Sequence, residues 1–326
     1  MTKASTPNAD RPVAAEPLPM GFELAPGYEV IAHLSRGRRL DVYDAWSRER
    51  STRCVLKVLR PERMEDGVAR EQLVREGRLL ERLAHPHIVR GYETITEPDP
   101  IVVMETLAGE TLGHLIEEKA PLAAEDVAHL GLHLGAAVAY LHRHGFLHLD
   151  VKPDNVVAEA ARAKVIDLSL SRPPGQAPSG IGTWCYLAPE QALGGDLGPA
   201  ADVWGIGATL FEAGSGEPAF DDPDDGSASW SSMDETSVSS TAGERPSWET
   251  GGGADPWKGD YPQLDRPAPA LATVSGQPPA LCALVDACLA PTPEARPTVA
   301  VLMARLEAIA GVPERESRFR TSGPRG

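Results

Sequence analysis

The sequence of 326 residues is short of basic side chains. Lys and Arg number 31 against 47 Asp and Glu, giving a formal net charge of −16 and a pI near 5.0. A chain with this balance has no excess positive field for a phosphate backbone or an anionic membrane surface, so neither nucleic acid nor a membrane is expected as a partner. Cysteine is scarce as well: Cys54, Cys185, Cys282 and Cys288 form no CxxC pair and no extracellular framework. They read as small buried hydrophobes rather than as a metal or redox site. No apolar run reaches the roughly 18 residues that suggest a membrane-spanning helix. The opening stretch MTKASTPNADRPVAAEPLPM lacks the apolar core of a signal peptide. A cytoplasmic protein with reduced thiols is therefore expected. No internal repeat is present.

What remains is ordinary for a soluble globular chain: 42% hydrophobic and 24% charged residues. The length suggests two lobes or two small domains at roughly 150 residues each. Residues 1–25 read as a disordered leader. From Tyr28 to Glu105, runs such as YEVIAHL, CVLKVL and IVVME read as strands, interrupted by one helix over about residues 67–84. Leu73, Leu80 and Leu83 share a face of that helix with Glu76. A carboxylate on an apolar stripe requires a partner, because burying it unpaired costs several kcal/mol. Beyond Glu105 the pattern is helical. Val127, Leu130, Leu134, Val138 and Leu141 line one face of a long helix, with Glu125 and Asp126 at its start, Arg143 near its end and Gly145 as the stop. His129 and His133, four apart on it, have the spacing of half a zinc site but lack the Glu of a metalloprotease helix, so a structural role is preferred. Further helices are expected in ADVWGIGATLFEAG, PALCALVDACLA and TVAVLMARLEAIA.

Residues 221–260 change in composition. They hold ten acidic and two basic residues, a net charge of −8, among many Ser and Gly. A disordered acidic insertion is expected. Trp230, Trp248 and Trp257 within it admit two readings, local tacking onto the domain surface, which is preferred, and a docking motif for a partner. Residues 311–326 read as a disordered tail.

The chemistry is carried by HLDVKPDN at 148–155, which follows the long helix directly. An Asp, a Lys two residues on and an Asn five residues on suit a base near a hydroxyl, a cation on a phosphate and an amide on a divalent ion. KVIDLSLS then ends an apolar run on Asp167, a further carboxylate for a metal, and GTWCYLAPE follows at 182–190. Each motif alone is weak, and their order and spacing together are specific.

On these residues the sequence resembles the eukaryotic-like (Hanks-type) Ser/Thr protein kinases, most closely the bacterial members, over about residues 26–310. The resemblance implies an α+β, bilobal protein-kinase-like fold. Its small β-rich N-lobe with one key helix would span about 26–105, and its larger, mainly helical C-lobe about 106–310. It implies ATP and Mg²⁺ (or Mn²⁺), with protein Ser/Thr hydroxyls as acceptors. Lys57 matches the strand lysine on the α- and β-phosphates, and Glu76 its helix partner. Asp150 matches the base that accepts the hydroxyl proton, with Lys152 at the γ-phosphate and Asn155 and Asp167 as metal ligands. Leu34, Gly37, Val42 and Val55 fall in the ATP-binding segments, Met104 at the gatekeeper, and Glu105 and Leu107 at the hinge beside adenine. Thr183 is typical of Ser/Thr specificity, Glu190 pairs with Arg296, and His148 and Asp202 are structural anchors of the catalytic loop.

The chain also departs from the pattern G-x-G-x-x-G-x-V. Ser35 and Leu40 replace two of the glycines, leaving only Gly37 ahead of Val42. Val55 replaces the usual Ala, Leu149 the Arg beside the catalytic Asp, and Leu168 and Ser169 the Phe and Gly after the metal-binding Asp. Every charged catalytic group is present, so an active enzyme is preferred. A pseudokinase that binds partners or nucleotide is the alternative, and a small-molecule phosphotransferase is disfavoured by GTWCYLAPE and Arg296.

Overall fold

Strand and helix signals alternate along the first hundred residues, and the computed structural model folds them around one sheet. It describes residues 16–159, 161–220 and 261–311. The chain divides into two units. In its described part, the smaller holds residues 16–84 and 90–106, and the larger the rest, including residues 85–89.

The smaller unit is a six-stranded antiparallel sheet in the order β1-β2-β3-β4-β6-β5. The strands are β1 (Glu23–Ala25), β2 (Tyr28–Arg36), β3 (Leu40–Ser47), β4 (Thr52–Leu59), β5 (Gly91–Ile95) and β6 (Ile101–Glu105). Side chains alternate across a strand, and directly paired residues share a face. The register therefore sorts the sheet. Tyr43, Ala45, Cys54, Leu56, Ile101 and Val103 form a buried core on one face. Val42, Val55, Lys57, Val102 and Met104 line the other.

Helix α1 (Gly67–Arg82) is capped by Asp66, which accepts the Ala69 N–H at 3.1 Å. It buries Leu73, Glu76 and Leu80 on the face expected from its periodicity. Gly77 permits the close approach to the sheet, since a Cβ there would lie 2.3 Å from Thr94 Oγ1 and 2.8 Å from Val102 Cγ2. Residues 16–25 depart from the disordered leader expected. The Leu18 N–H donates to the Tyr43 hydroxyl at 3.0 Å, Gly21 N–H to Val30 O at 2.8 Å, and β1 pairs with β2. A three-residue strand is too short to show periodicity, and its anchor, Tyr43, is 25 residues away. The leader's residues 1–15 lie outside the described residues.

The larger unit begins its own structure with β7 (Glu110–Thr111), α2 (Leu112–Lys119) and α3 (Ala124–Arg143). β8 (Val156–Glu159) and β9 (Arg162–Val165) complete a three-stranded sheet with β7, and β10 (Gly175–Ala177) pairs with β11 (Gly195–Leu197). Between these two lies α4 (Pro189–Leu193), and after them come α5 (Pro199–Ser215), α6 (Pro262–Asp265), α7 (Leu271–Val274), α8 (Pro279–Cys288) and α9 (Val299–Ile309). Helices α3 and α5 are buried along most of their length and set the core. The stripe Val127, Leu130, Leu134, Val138 and Leu141 is buried as its spacing implied. Residues 85–89 dock on this unit through Val89 N–H to Val165 O at 2.8 Å and Val165 N–H to His87 O at 3.0 Å.

Of the histidine pair, His129 bonds its own helix at Glu125 O. His133 accepts the Ala163 N–H on Nδ1 and stacks on His87 at 4.1 Å between centroids. The insertion 221–260 with its tryptophans, and residues 312–326 of the tail, lie outside the described residues. No described helix is long and apolar enough to cross a membrane. Cys54, Cys185, Cys282 and Cys288 are all buried and none is in a disulfide, and burial pushes the Cys54 thiol up to about 11 and Cys288 to about 12.

Candidate active site

In the smaller unit the anomaly on α1 is resolved by a pair. Lys57 Nζ on β4 donates to Glu76 Oε1 at 2.9 Å and to Oε2 at 3.0 Å. The side chains are 8% and 1% exposed. Neither charge tolerates that burial alone, so each fixes the other's position. Val42, Val55 and Met104 share the Lys57 face of the sheet. Glu105 closes β6, its N–H on Arg90 O and its carboxylate accepting the Arg90 N–H. Leu34 lies at an irregularity of β2 and is 52% exposed, and at Leu107 the chain returns to the larger unit.

The glycine-poor loop is a tight turn between β2 and β3, closed by Gly37 N–H to Leu40 O at 2.8 Å. Arg60 donates to Gly37 O at 3.0 Å. Asp41, 1% exposed, accepts from Arg36 Nε at 2.7 Å, Arg36 Nη2 at 2.9 Å and His33 Nε2 at 3.0 Å. Burial alone would raise the Asp41 pKa, but the bonds from Arg36 and His33 outweigh it and hold the carboxyl below its ordinary value. Sequence reasoning missed this triad. An Asp and Arg five apart across a hairpin was its only signal.

In the larger unit the catalytic loop follows α3. The Thr183 hydroxyl donates to Asp150 Oδ1 at 2.7 Å and accepts from Lys152 Nζ at 2.8 Å. Lys152 Nζ lies 3.8 Å from Asp150 Oδ2. Asn155 Nδ2 donates to Asp150 O at 3.0 Å and to Asp150 Oδ2 at 2.8 Å. With both amide protons spent, the Asn155 carbonyl oxygen is left as a hard ligand. Asp167 is braced by Ser169 N–H on Oδ1 at 2.8 Å. An amide oxygen and a carboxylate, with no sulfur or imidazole, fit a small hard divalent cation such as Mg²⁺ or Mn²⁺.

Beneath the loop Asp202, 1% exposed, accepts His148 N–H at 2.9 Å and Leu149 N–H at 2.7 Å. His142 Nε2 lies 2.7 Å from the same carboxylate, a third partner that the sequence did not signal. Leu149 needs this hold. Its φ of 67° is in the left-handed region, which costs a non-glycine residue about 1–3 kcal/mol unless its surroundings over-determine it. His148 is 1% exposed and its Nδ1 accepts the Asp150 N–H at 3.2 Å.

Arg296, whose side chain is fully buried, donates to Glu190 Oε1 at 2.6 Å and Oε2 at 2.8 Å. It also donates to the carbonyls of Ala290, Ala200 and Pro291. Its guanidinium lies 4.9 Å over the Trp204 ring. All five of its N–H donors are thereby used, which is what a buried arginine requires. Gln263 Nε2 donates to Trp184 O at 2.9 Å and Leu187 O at 3.0 Å, tying α6 to the segment that carries Thr183. Gln263 has no signal in the sequence.

The structure thus gathers the expected residues into two groups, each within its own unit: Lys57 with Glu76, and Asp150, Lys152, Asn155 and Thr183 above Asp202. Comparison with known proteins identifies the family. A family model described as protein kinase domain matches residues 28–306. The probable serine/threonine-protein kinase PknB of Lactococcus lactis is 32% identical over 211 residues, which cover 62% of this chain and 34% of that protein. The serine/threonine-protein kinase PknB of Mycobacterium leprae is 33% identical over 177 residues, covering 51% and 28%. This chain therefore spans about a third of the length of such relatives. The crystal structure of the PknI kinase domain of Mycobacterium tuberculosis superposes with a TM-score of 0.64 at 22% identity, covering 91% of this chain and 100% of that one, and so shares its fold. With the family model matching most of its length and the kinase fold carrying the expected polar residues, the chain belongs to the protein kinase domain family.

Proposed function

We propose that the chain is a serine/threonine protein kinase that transfers the γ-phosphate of ATP to hydroxyls of proteins, in the cytoplasm and with Mg²⁺. The observation that carries the reading is the Lys152–Thr183–Asp150 relay with Asn155 bonded to the same carboxylate. Asp150 is oriented by two side chains before any substrate arrives, so its carboxylate can accept a hydroxyl proton without first reorganising. Lys152 places a cation beside that carboxylate, where charge develops during phosphoryl transfer. Asn155 and Asp167 would hold the divalent ion, which when bound neutralises phosphate charge. Lys57, fixed by Glu76, would hold the α- and β-phosphates. Thr183 leaves the acceptor class as Ser/Thr. No polar group needed for turnover is missing from the described residues, which favours an active enzyme over a pseudokinase.

The test is incorporation of radiolabelled phosphate from ATP with Mg²⁺ or Mn²⁺ into the chain itself and into a generic protein substrate. Asp150→Asn and Asp167→Asn each remove transition-state stabilisation on the order of several kcal/mol, so incorporation falls by about a thousandfold or more. Both variants keep cooperative unfolding. Unchanged incorporation in both would refute the assignment.

A further inference from the structure

One buried amide holds three backbone segments at the catalytic loop. Gln191, 2% exposed, donates through Nε2 to Leu149 O at 2.9 Å and to Ile181 O at 2.7 Å. Its Oε1 accepts the Ala188 N–H at 3.0 Å. Two carbonyls and one N–H around the group fix which end is nitrogen. Both amide protons and one oxygen lone pair are used. A glutamate there has no donors when ionised, an asparagine is one methylene short and a leucine has no polar atom. Gly182, with φ of 128°, completes the fit: a Cβ at that position would lie 3.0 Å from Gln191 Nε2 and 3.1 Å from Leu149 O.

What the amide grips is the strained residue beside the base. Leu149 has φ of 67° and is 3% exposed. Asp202 takes its N–H and Gln191 its carbonyl, so its peptide groups are held from both sides. Ile181 and Ala188 flank Thr183, whose hydroxyl bonds Asp150. The same amide therefore fixes the backbone from which Asp150 projects and the segment that orients its carboxylate. The bracket contains only neutral groups.

We propose that Gln191 is a positioning residue for phosphoryl transfer, locking Leu149 and the 181–188 segment in the working geometry. The proposal rests on the kinase reading above and adds that this geometry depends on one buried amide.

The experiment measures steady-state phosphate transfer to casein by the full wild-type chain and by Gln191→Glu and Gln191→Met. Thermal unfolding with and without ATP and Mg²⁺ is measured in parallel. In both variants kcat falls by about thirtyfold or more, as expected when a reacting group is displaced from its position. The KM for ATP stays within about twofold and the nucleotide-induced rise in melting temperature is kept, because Lys57 and the smaller unit are untouched. Variants within about threefold of wild type in kcat, or a rise in KM with kcat preserved, would overturn the proposal. So would loss of cooperative folding in both variants, which would make Gln191 a stability residue. Wild-type protein that transfers no phosphate at all refutes the kinase reading itself, and the proposal with it.

Discussion

Acid should weaken the docking of residues 85–89 on the larger unit, and the structure says by how much. His133 Nδ1 accepts the Ala163 N–H at 3.3 Å, so that nitrogen must be unprotonated. His87 Nδ1 donates to Ala163 O at 2.8 Å, and the two rings stack at 4.1 Å with 20° between their planes. Protonating His133 sets an N–H against the Ala163 N–H and places a charge in a buried ring stack. Burial above all, then the charges of His87, His129 and Arg162, push its pKa down from 6.5 to about 4. Burial lowers His87 and His85 as well.

A histidine depressed in the folded state is protonated first in the unfolded chain. Its stabilising contribution is complete above pH 6.5 and is lost as the pH falls from there towards 4. The full gap corresponds to about 3 kcal/mol, and the partial solvent contact of the ring screens this to the order of 1–2 kcal/mol. The perturbation is His133→Asn, which keeps an acceptor for Ala163 but takes up no proton. Urea unfolding near pH 7.5 and near pH 5 is the assay. The wild type loses about 1 kcal/mol more than the variant between the two conditions. Equal losses in both would refute the reasoning.

Two further outcomes follow from packing. Arg296→Met leaves the Glu190 carboxylate and three carbonyls without their donor, which costs about 3–5 kcal/mol and lowers the melting temperature by about 6 °C or more; a drop under about 2 °C would show that solvent replaces the bracket. Gly109→Ala puts a Cβ 1.9 Å from Ala158 O and 2.6 Å from Ala158 C, both backbone atoms of β8. The strand must move, at about 1–3 kcal/mol or more, and an unchanged melting temperature would contradict this geometry.

The sequence was most legible where the signal is local. Helices α1 and α3 announce themselves through apolar stripes, and Glu76 was marked because a carboxylate interrupted one of them. HLDVKPDN packs base, cation and metal amide into eight residues, so proximity in sequence stood in for proximity in space. The opposite holds for His142 and Asp202, 60 residues apart, and for Gln263, whose partner Trp184 is 79 residues away. Nothing in the residue types around them encodes those pairings. Strands β7, β10 and β11 are two or three residues long, and alternation cannot be read in so few positions. Gln191 carries no signal in the sequence, and only the fold shows that its amide is enclosed.

The two largest departures from the family pattern are each matched by a local substitute of different chemistry. Where glycines are missing between β2 and β3, the hairpin is held by Asp41 against Arg36 and His33, so a loop that glycines would leave permissive is fixed by charge. Where Leu149 stands in place of an arginine, its peptide groups are gripped by the buried Asp202 carboxylate and by the Gln191 amide. An ion pair partly open to water at the first position and enclosed bonds at the second have different consequences. The Asp41 bonds are partly open to solvent at Arg36, whose side chain is 22% exposed, and they weaken with salt. The Gln191 bonds are enclosed and neutral, and salt leaves them alone. Raising ionic strength therefore separates the two devices: it loosens the β2–β3 turn of the smaller unit while the catalytic loop of the larger unit keeps its geometry.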